Sequence, residues 1–201
     1  VLLFDGGTSN GSGIEDTIRL LANDFVLKAP GTVSSVDVWA FVDGTWDGTI
    51  DYSFYESSGN LPSETPFASG SGINITQTPT GETAGPASEY LFHFELQQPL
   101  MLQGGQRYWF GLHLKQTYAD DGSYAYWSTT DLGFGETSRS AAGGDTSNWG
   151  SAPDEEAFRL YGVPEPASAL QGLAAGAALL GCRRLRRARA PALSGGRRPR
   201  R

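Results

Sequence analysis

The chain has 201 residues, 27 of them glycine, with 39% hydrophobic and 11% aromatic residues and a formal net charge of −7. That is ample apolar material for one domain with its own core, and the single cysteine, Cys182, excludes an intrachain disulfide as its support. The charge is unevenly placed: residues 1–163 hold six basic residues against 21 acids, or −15, whereas the tail holds nine arginines and Glu165, or +8. An acidic body argues against non-specific nucleic-acid binding and suits a soluble exported domain.

The chain opens Val1-Leu-Leu-Phe-Asp5 with no Met and no basic leader segment, and reads as a fragment or a mature form. Residues 14–21 fit either a short amphipathic helix, with Ile14, Ile18 and Leu21 on one face, or a strand leading into Phe25-Val-Leu27. Strands are expected near 23–28, 32–42, 49–57, 67–76, 89–96, 106–116, 123–129 and 156–161. Two of them alternate clearly. Phe92, Phe94 and Leu96 share a face opposite His93 and Glu95; Tyr108, Phe110, Leu112 and Leu114 share one opposite Trp109, His113 and Lys115. One apolar face at period two means antiparallel strands half covered by a second sheet, with both histidines on the polar side. Asp43-Gly-Thr-Trp-Asp-Gly48 is expected as a hairpin turn, and Gly104-Gly105 and Asp120-Asp-Gly122 as further turns. The fold class expected for 1–162 is therefore all-β, an antiparallel, jelly-roll-like sandwich of about eight strands.

From residue 163 the composition changes. Val163-Pro164-Glu165-Pro166 is a short proline box, 167–182 is a 16-residue run with no charge and one strongly polar group, Gln171, and Arg183, Arg184, Arg186, Arg187 and Arg189 follow at once. As a helix rising ~1.5 Å per residue the run covers roughly 24 Å, less than the ~30 Å hydrocarbon core, and its alanines and glycines favour insertion only weakly. A single short transmembrane helix with a basic tail is expected, its arginines acting as the membrane stop on the cytoplasmic side and 1–162 lying on the other. So marginal an anchor suits a segment meant for removal.

This order of box, apolar run and arginine cluster over 163–187 resembles the PEP-CTERM sorting signal processed by exosortase systems of Gram-negative bacteria. Residues 188–201 depart from it, since the family usually stops soon after the basic cluster, whereas here four more arginines follow in a basic extension. The body is also similar to ectodomains found upstream of that signal, in Phe4-Asp-Gly-Gly-Thr8, Ala22-Asn-Asp-Phe-Val-Leu27, Asp43-Gly-Thr-Trp-Asp-Gly-Thr49, Ala68-Ser-Gly-Ser-Gly72, Tyr108-Trp-Phe-Gly-Leu-His-Leu114 and Glu156-Ala-Phe-Arg-Leu-Tyr-Gly162. The resemblance implies an exosortase-type membrane protease or transpeptidase as partner, transient residence in the inner membrane through 167–182, and release to the cell surface or extracellular matrix. It links the export route to exopolysaccharide and biofilm, and brings no catalytic residues.

For the body itself, only His93 and His113 could act as neutral-pH bases, and neither a Gly-x-Ser-x-Gly elbow nor a His-Glu-x-x-His pair is present. A non-catalytic role is expected. The five tryptophans with Tyr118, Tyr124 and Tyr126 exceed what one core needs, so exposed rings are expected as sugar platforms, with Trp46, Trp109 and Tyr124 as candidates. Trp46 stands out because it lies in a turn. Asp43, Asp47, Asp120 and Asp121 are hard oxygen ligands that would suit calcium, although their spacing is not that of an EF-hand. No other cofactor is expected.

Overall fold

The computed structural model describes residues 1–133 and 135–164. Along them run fifteen strands and no helix: β1 (Leu2–Asp5), β2 (Gly13–Glu15), β3 (Arg19–Val26), β4 (Gly31–Asp43), β5 (Asp51–Ser58), β6 (Leu61–Pro62), β7 (Ala68–Ser71), β8 (Ile73–Ala84), β9 (Ala87–Leu102), β10 (Arg107–His113), β11 (Tyr124–Thr130), β12 (Arg139–Ala142), β13 (Gly150–Ser151), β14 (Glu155–Glu156) and β15 (Phe158–Pro164). They form two antiparallel sheets stacked as a sandwich. One sheet has eight strands, with β1-β15-β4-β11-β14 in order, β2 on β11, and β9 and then β8 on the other side of β4; the second has seven, β13-β12-β3-β10-β5-β6 with β7 on β5.

Strand β4 is the spine of the larger sheet. Along one side it pairs with β9 from Gly31↔Leu102 to Val42↔Ser88, and along the other first with β15 and then with β11. Its valines Val33, Val36, Val38 and Val42, with Phe92, Phe94 and Leu96 of β9, face Leu21, Phe25, Phe54, Tyr108, Phe110 and Leu112 of the smaller sheet. Period-two alternation puts these residues on one face, and removing each large side chain from water contributes about 1.5–3 kcal/mol. Phe110 sits at the centre, with ring centroids of Phe54, Phe158 and Trp127 at 5.3, 5.2 and 5.6 Å.

Of the two readings open for residues 14–21 the strand is the one found, as β2 and the start of β3. Two expectations change. The Asp43–Gly48 segment is not a hairpin turn: β4 belongs to the larger sheet and β5 to the smaller, so the connection crosses between sheets. Gly104-Gly105 and Asp120-Asp-Gly122 make the same kind of crossing, from β9 to β10 and from β10 to β11. Glycine-rich loops signal a reversal of direction but not which strand the chain pairs with next.

The second change concerns β10. It is buried on both faces, because Leu20, Ala22, Tyr55, Trp109 and Ala141 form a second, smaller core on the outside of the seven-stranded sheet, with Trp149 packed against it. The cover comes from the chain after β10 and around β12. Tyr118 stacks on His113 at 3.9 Å, Trp149 meets Tyr55 edge-on at 5.4 Å, and the Arg139 guanidinium lies 5.8 Å from the Trp109 ring. Gly143 and Gly144 turn this segment at φ of 58° and 74°, and a Cβ on Gly144 would meet the Tyr118 ring at 2.7 Å.

Candidate functional site

The sheet-crossing loops 44–50 and 115–123 meet at one end of the sandwich and bring most of the sequence-nominated residues together. Trp46 Nε1 donates to the carbonyls of Thr49 (3.1 Å) and Leu114 (2.9 Å), and its ring packs edge-on against Phe92 at 4.8 Å. It is half-buried and pinned to the main core, not presented as a free platform. Trp109 departs further from expectation: it is wholly buried in the second core, with Nε1 3.3 Å from Ser57 Oγ, and offers no ring to a ligand. Trp127 is buried as well, and Trp39 lies beneath the Arg159 guanidinium at 5.0 Å. The aromatic surplus reflects two cores where the sequence suggested one.

The four candidate calcium ligands behave differently from one another. Asp47 caps two backbone N–H groups, those of Thr49 and Gln116, both at 2.9 Å. Asp121 accepts Lys115 Nζ at 2.6 Å and the Ser123 N–H at 3.0 Å, and Asp120 accepts the Tyr124 hydroxyl at 2.7 Å. These three carboxylates close loops. The Asp43 carboxylate alone accepts no hydrogen bond among the described residues, and the residue stands at the end of β4, opposite Tyr124 of β11. Among the described residues no three acidic, histidine or cysteine groups gather as a metal-ligand set.

Both histidines are placed by the fold. His113 is 2% exposed, contrary to its expected place on a solvated face, and its Nε2 donates to the Thr17 carbonyl at 2.9 Å. Burial pushes its pKa below the usual value and keeps it neutral. His93 remains on the open face of the larger sheet, where Nδ1 is 2.7 Å from Asp37 Oδ1 while the Tyr161 hydroxyl donates to Asp37 Oδ2 at 2.8 Å. Among the described residues this group has no serine or cysteine partner that it could activate as a nucleophile.

Acids also lie inside the sandwich. Asp16 and Glu156 are wholly buried, and none of their carboxyl oxygens makes a hydrogen bond of ordinary geometry. Burial raises both pKa values well above the usual range and lifts Glu155 to about 7. Protonated, these groups cost far less to bury than carboxylates would.

Beside Asp43, on the outer face of the larger sheet, lies a concavity of about 240 Å³ lined by Gly13, Phe41, Asp43, Ala84, Pro86, Ala87 and Tyr126. Sheet register builds its floor, since Phe41 of β4 pairs with Tyr126 of β11 and both project outward. Its rim is the tip of the β8–β9 hairpin, held down by Glu89, whose carboxylate accepts Ser128 Oγ and Thr80 Oγ1, each at 2.8 Å. A Cβ on Gly13 would meet Tyr126 Cβ at 3.0 Å and the Trp127 carbonyl at 3.1 Å, so glycine there keeps the floor clear. Asp43 and Tyr124 were nominated by the sequence; Gly13, Phe41 and Pro86 were not. The alternation Tyr124-Ala-Tyr126 was the one visible signal that two rings share a face. Compared with protein-family models, with curated proteins and with solved structures, the chain finds no match.

Proposed function

We propose that the protein is an exported, non-catalytic β-sandwich with a jelly-roll-like strand order, processed at its C-terminus by an exosortase-type system and delivered to the cell surface or extracellular matrix, where it associates with exopolysaccharide. In this reading 167–182 holds it briefly in the inner membrane and the arginines from 183 mark the cytoplasmic side; Glu165, Pro166, that apolar run and those arginines lie outside the described residues. The observation that carries the reading is where the fold closes. Strand β15 delivers its core residues Phe158 and Leu160 early and ends with Val163↔Thr32 and Pro164↔Gly31. The last core residue of the strand thus precedes the box, and a cut after Pro164 would remove nothing from the described core, which is what the processing reading requires.

Intact mass spectrometry of surface-released protein from the native host tests this. A product ending at or near the box is expected; recovery of chain ending in Arg201 from the outer surface overturns it. A second reading, a carbohydrate-binding module, is favoured by the uncommitted Asp43 beside the Tyr126 ring.

A further inference from the structure

We propose that the concavity formed by Gly13, Phe41, Asp43, Pro86 and Tyr126 binds one uncharged pyranose unit of a polysaccharide chain. The assignment names the ligand class within the polysaccharide-associated reading and rests on it.

Three features of the site converge on that ligand. The floor and walls are largely apolar: Tyr126 is partly buried and presents its ring, Phe41 is 2% exposed and fills the floor, and Ala84, Pro86 and Ala87 stand on the hairpin tip. An aromatic face of this kind accepts the C–H side of a sugar ring. The single charged group is an ionisable carboxyl without a hydrogen-bond partner among the described residues. As a carboxylate it is an acceptor only, with two oxygens, and so matches a pair of vicinal hydroxyl donors. At about 240 Å³ the space is smaller than a drug-sized pocket and of the order of a single sugar ring.

Charge narrows the class. No basic side chain lines the concavity. Glu15, on the strand beside it, is already engaged by the Arg19 guanidinium at 3.0 Å and by the N–H groups of Thr17 and Ile18. An anionic sugar placed against Asp43 would meet a like charge with no counter-ion, on a body already carrying −15 over residues 1–163. Uronate polymers are therefore excluded and neutral ones accepted. The Tyr124 ring, 6.4 Å from that of Tyr126 and held by Asp120, continues the surface towards the next unit of a chain.

The test uses the full-length chain in detergent, which keeps the apolar tail dispersed, titrated with cellohexaose, dextran and galactomannan oligosaccharides, and in parallel with alginate oligomers and chitosan. A dissociation constant of about 0.1–1 mM for at least one neutral chain is expected. Tyr126→Ala should weaken it about tenfold through loss of the stacking face, and Asp43→Asn about fivefold through loss of the charged acceptor. Gly13→Ala, which fills the floor, should weaken it as well. Asp43→Asn is nearly isosteric and leaves the core untouched, so it reports on binding even if Tyr126→Ala perturbs folding. No neutral chain bound at about 10 mM, unchanged affinity in Asp43→Asn, or tighter binding of alginate or chitosan than of every neutral chain overturns the assignment. The mass of the surface-released product is unaffected by any of these outcomes, so failure of the site and failure of the sorting reading are told apart.

Discussion

On the seven-stranded sheet the outward residues Leu20, Ala22, Tyr55, Trp109 and Ala141 are buried, with Trp149 packed against them and Tyr118 stacked on His113, while on the eight-stranded sheet the outward Asp37, His93, Tyr124, Tyr126 and Tyr161 stay only partly buried. One face has become a second core; the other keeps polar groups and rings within reach of solvent. Covering a sheet on both sides requires apolar residues at consecutive positions, as in Tyr108-Trp-Phe-Gly-Leu. Leaving one side open permits the alternation of Phe92 and Phe94 with His93. A ligand site is therefore expected on the larger sheet, where a ring can be exposed without opening a core.

The largest effects should come from the two cores. Phe110→Ala between the sheets should cost about 3–5 kcal/mol. If the outer face of the smaller sheet is a true core, Trp109→Ala should cost about as much. Urea unfolding of both variants measures this, and a loss below about 1 kcal/mol for Trp109→Ala would show the two faces to be alike and solvated.

Trp46→Ala should cost about 2 kcal/mol, because it strips two carbonyls of their donor and removes the packing on Phe92. A turn ring merely resting on the surface would lose less than about 0.5 kcal/mol, and thermal melts separate the two.

The buried acids predict a dependence on pH. Glu155 is raised from 4.5 to about 7, and burial also raises Asp16 and Glu156 well above the usual carboxylate range. An acid with a higher pKa folded than unfolded holds more protons in the folded state, so its contribution is complete below the unfolded value and is lost as pH rises through the folded one. Stability should fall across roughly pH 5 to 7 as Glu155 ionises, and Asp16 and Glu156 act in the same sense as pH rises. His113, with its pKa lowered, acts in the opposite sense and removes stability as pH falls below 6.5. Glu156→Gln should weaken the fall of stability with rising pH, read by comparing urea unfolding at pH 5 and pH 9; an unchanged slope would show that Glu156 does not contribute to it.

The smallest effect belongs to the open face. Asp37→Asn weakens the contacts to His93 and Tyr161, both partly exposed, and should cost less than about 1 kcal/mol. A larger loss in thermal melts would mean that this face too is structural.

Much of the fold was legible because alternation is a local property. The strands near 32–42, 106–116 and 123–129 were placed to within a few residues, the one near 89–96 was found but ended six residues short of Leu102, and the face of Phe110 and Leu112 was assigned correctly. The short strands β1, β2, β6, β12 and β13 were missed, since two to four residues carry no period of their own and are defined by their partners. For the candidate site, Asp43 and Tyr124 were visible as residue types beside a turn. That Asp47, Asp120 and Asp121 are consumed by loop closure depends on N–H groups and a lysine brought near by folding.

The sequence by itself determined the all-β class, the acidic body, the absence of disulfide support and the change of character at Val163, because each follows from composition or from a pattern spanning neighbouring residues. Only the tertiary structure decided that Trp109 and His113 are buried, that the Asp43–Gly48 loop joins two sheets, and that Asp43 is left free next to Tyr126. Those outcomes turn on which strand lies beside which and what covers the outer face, and such pairings join residues that are far apart along the chain, where local pattern carries no information.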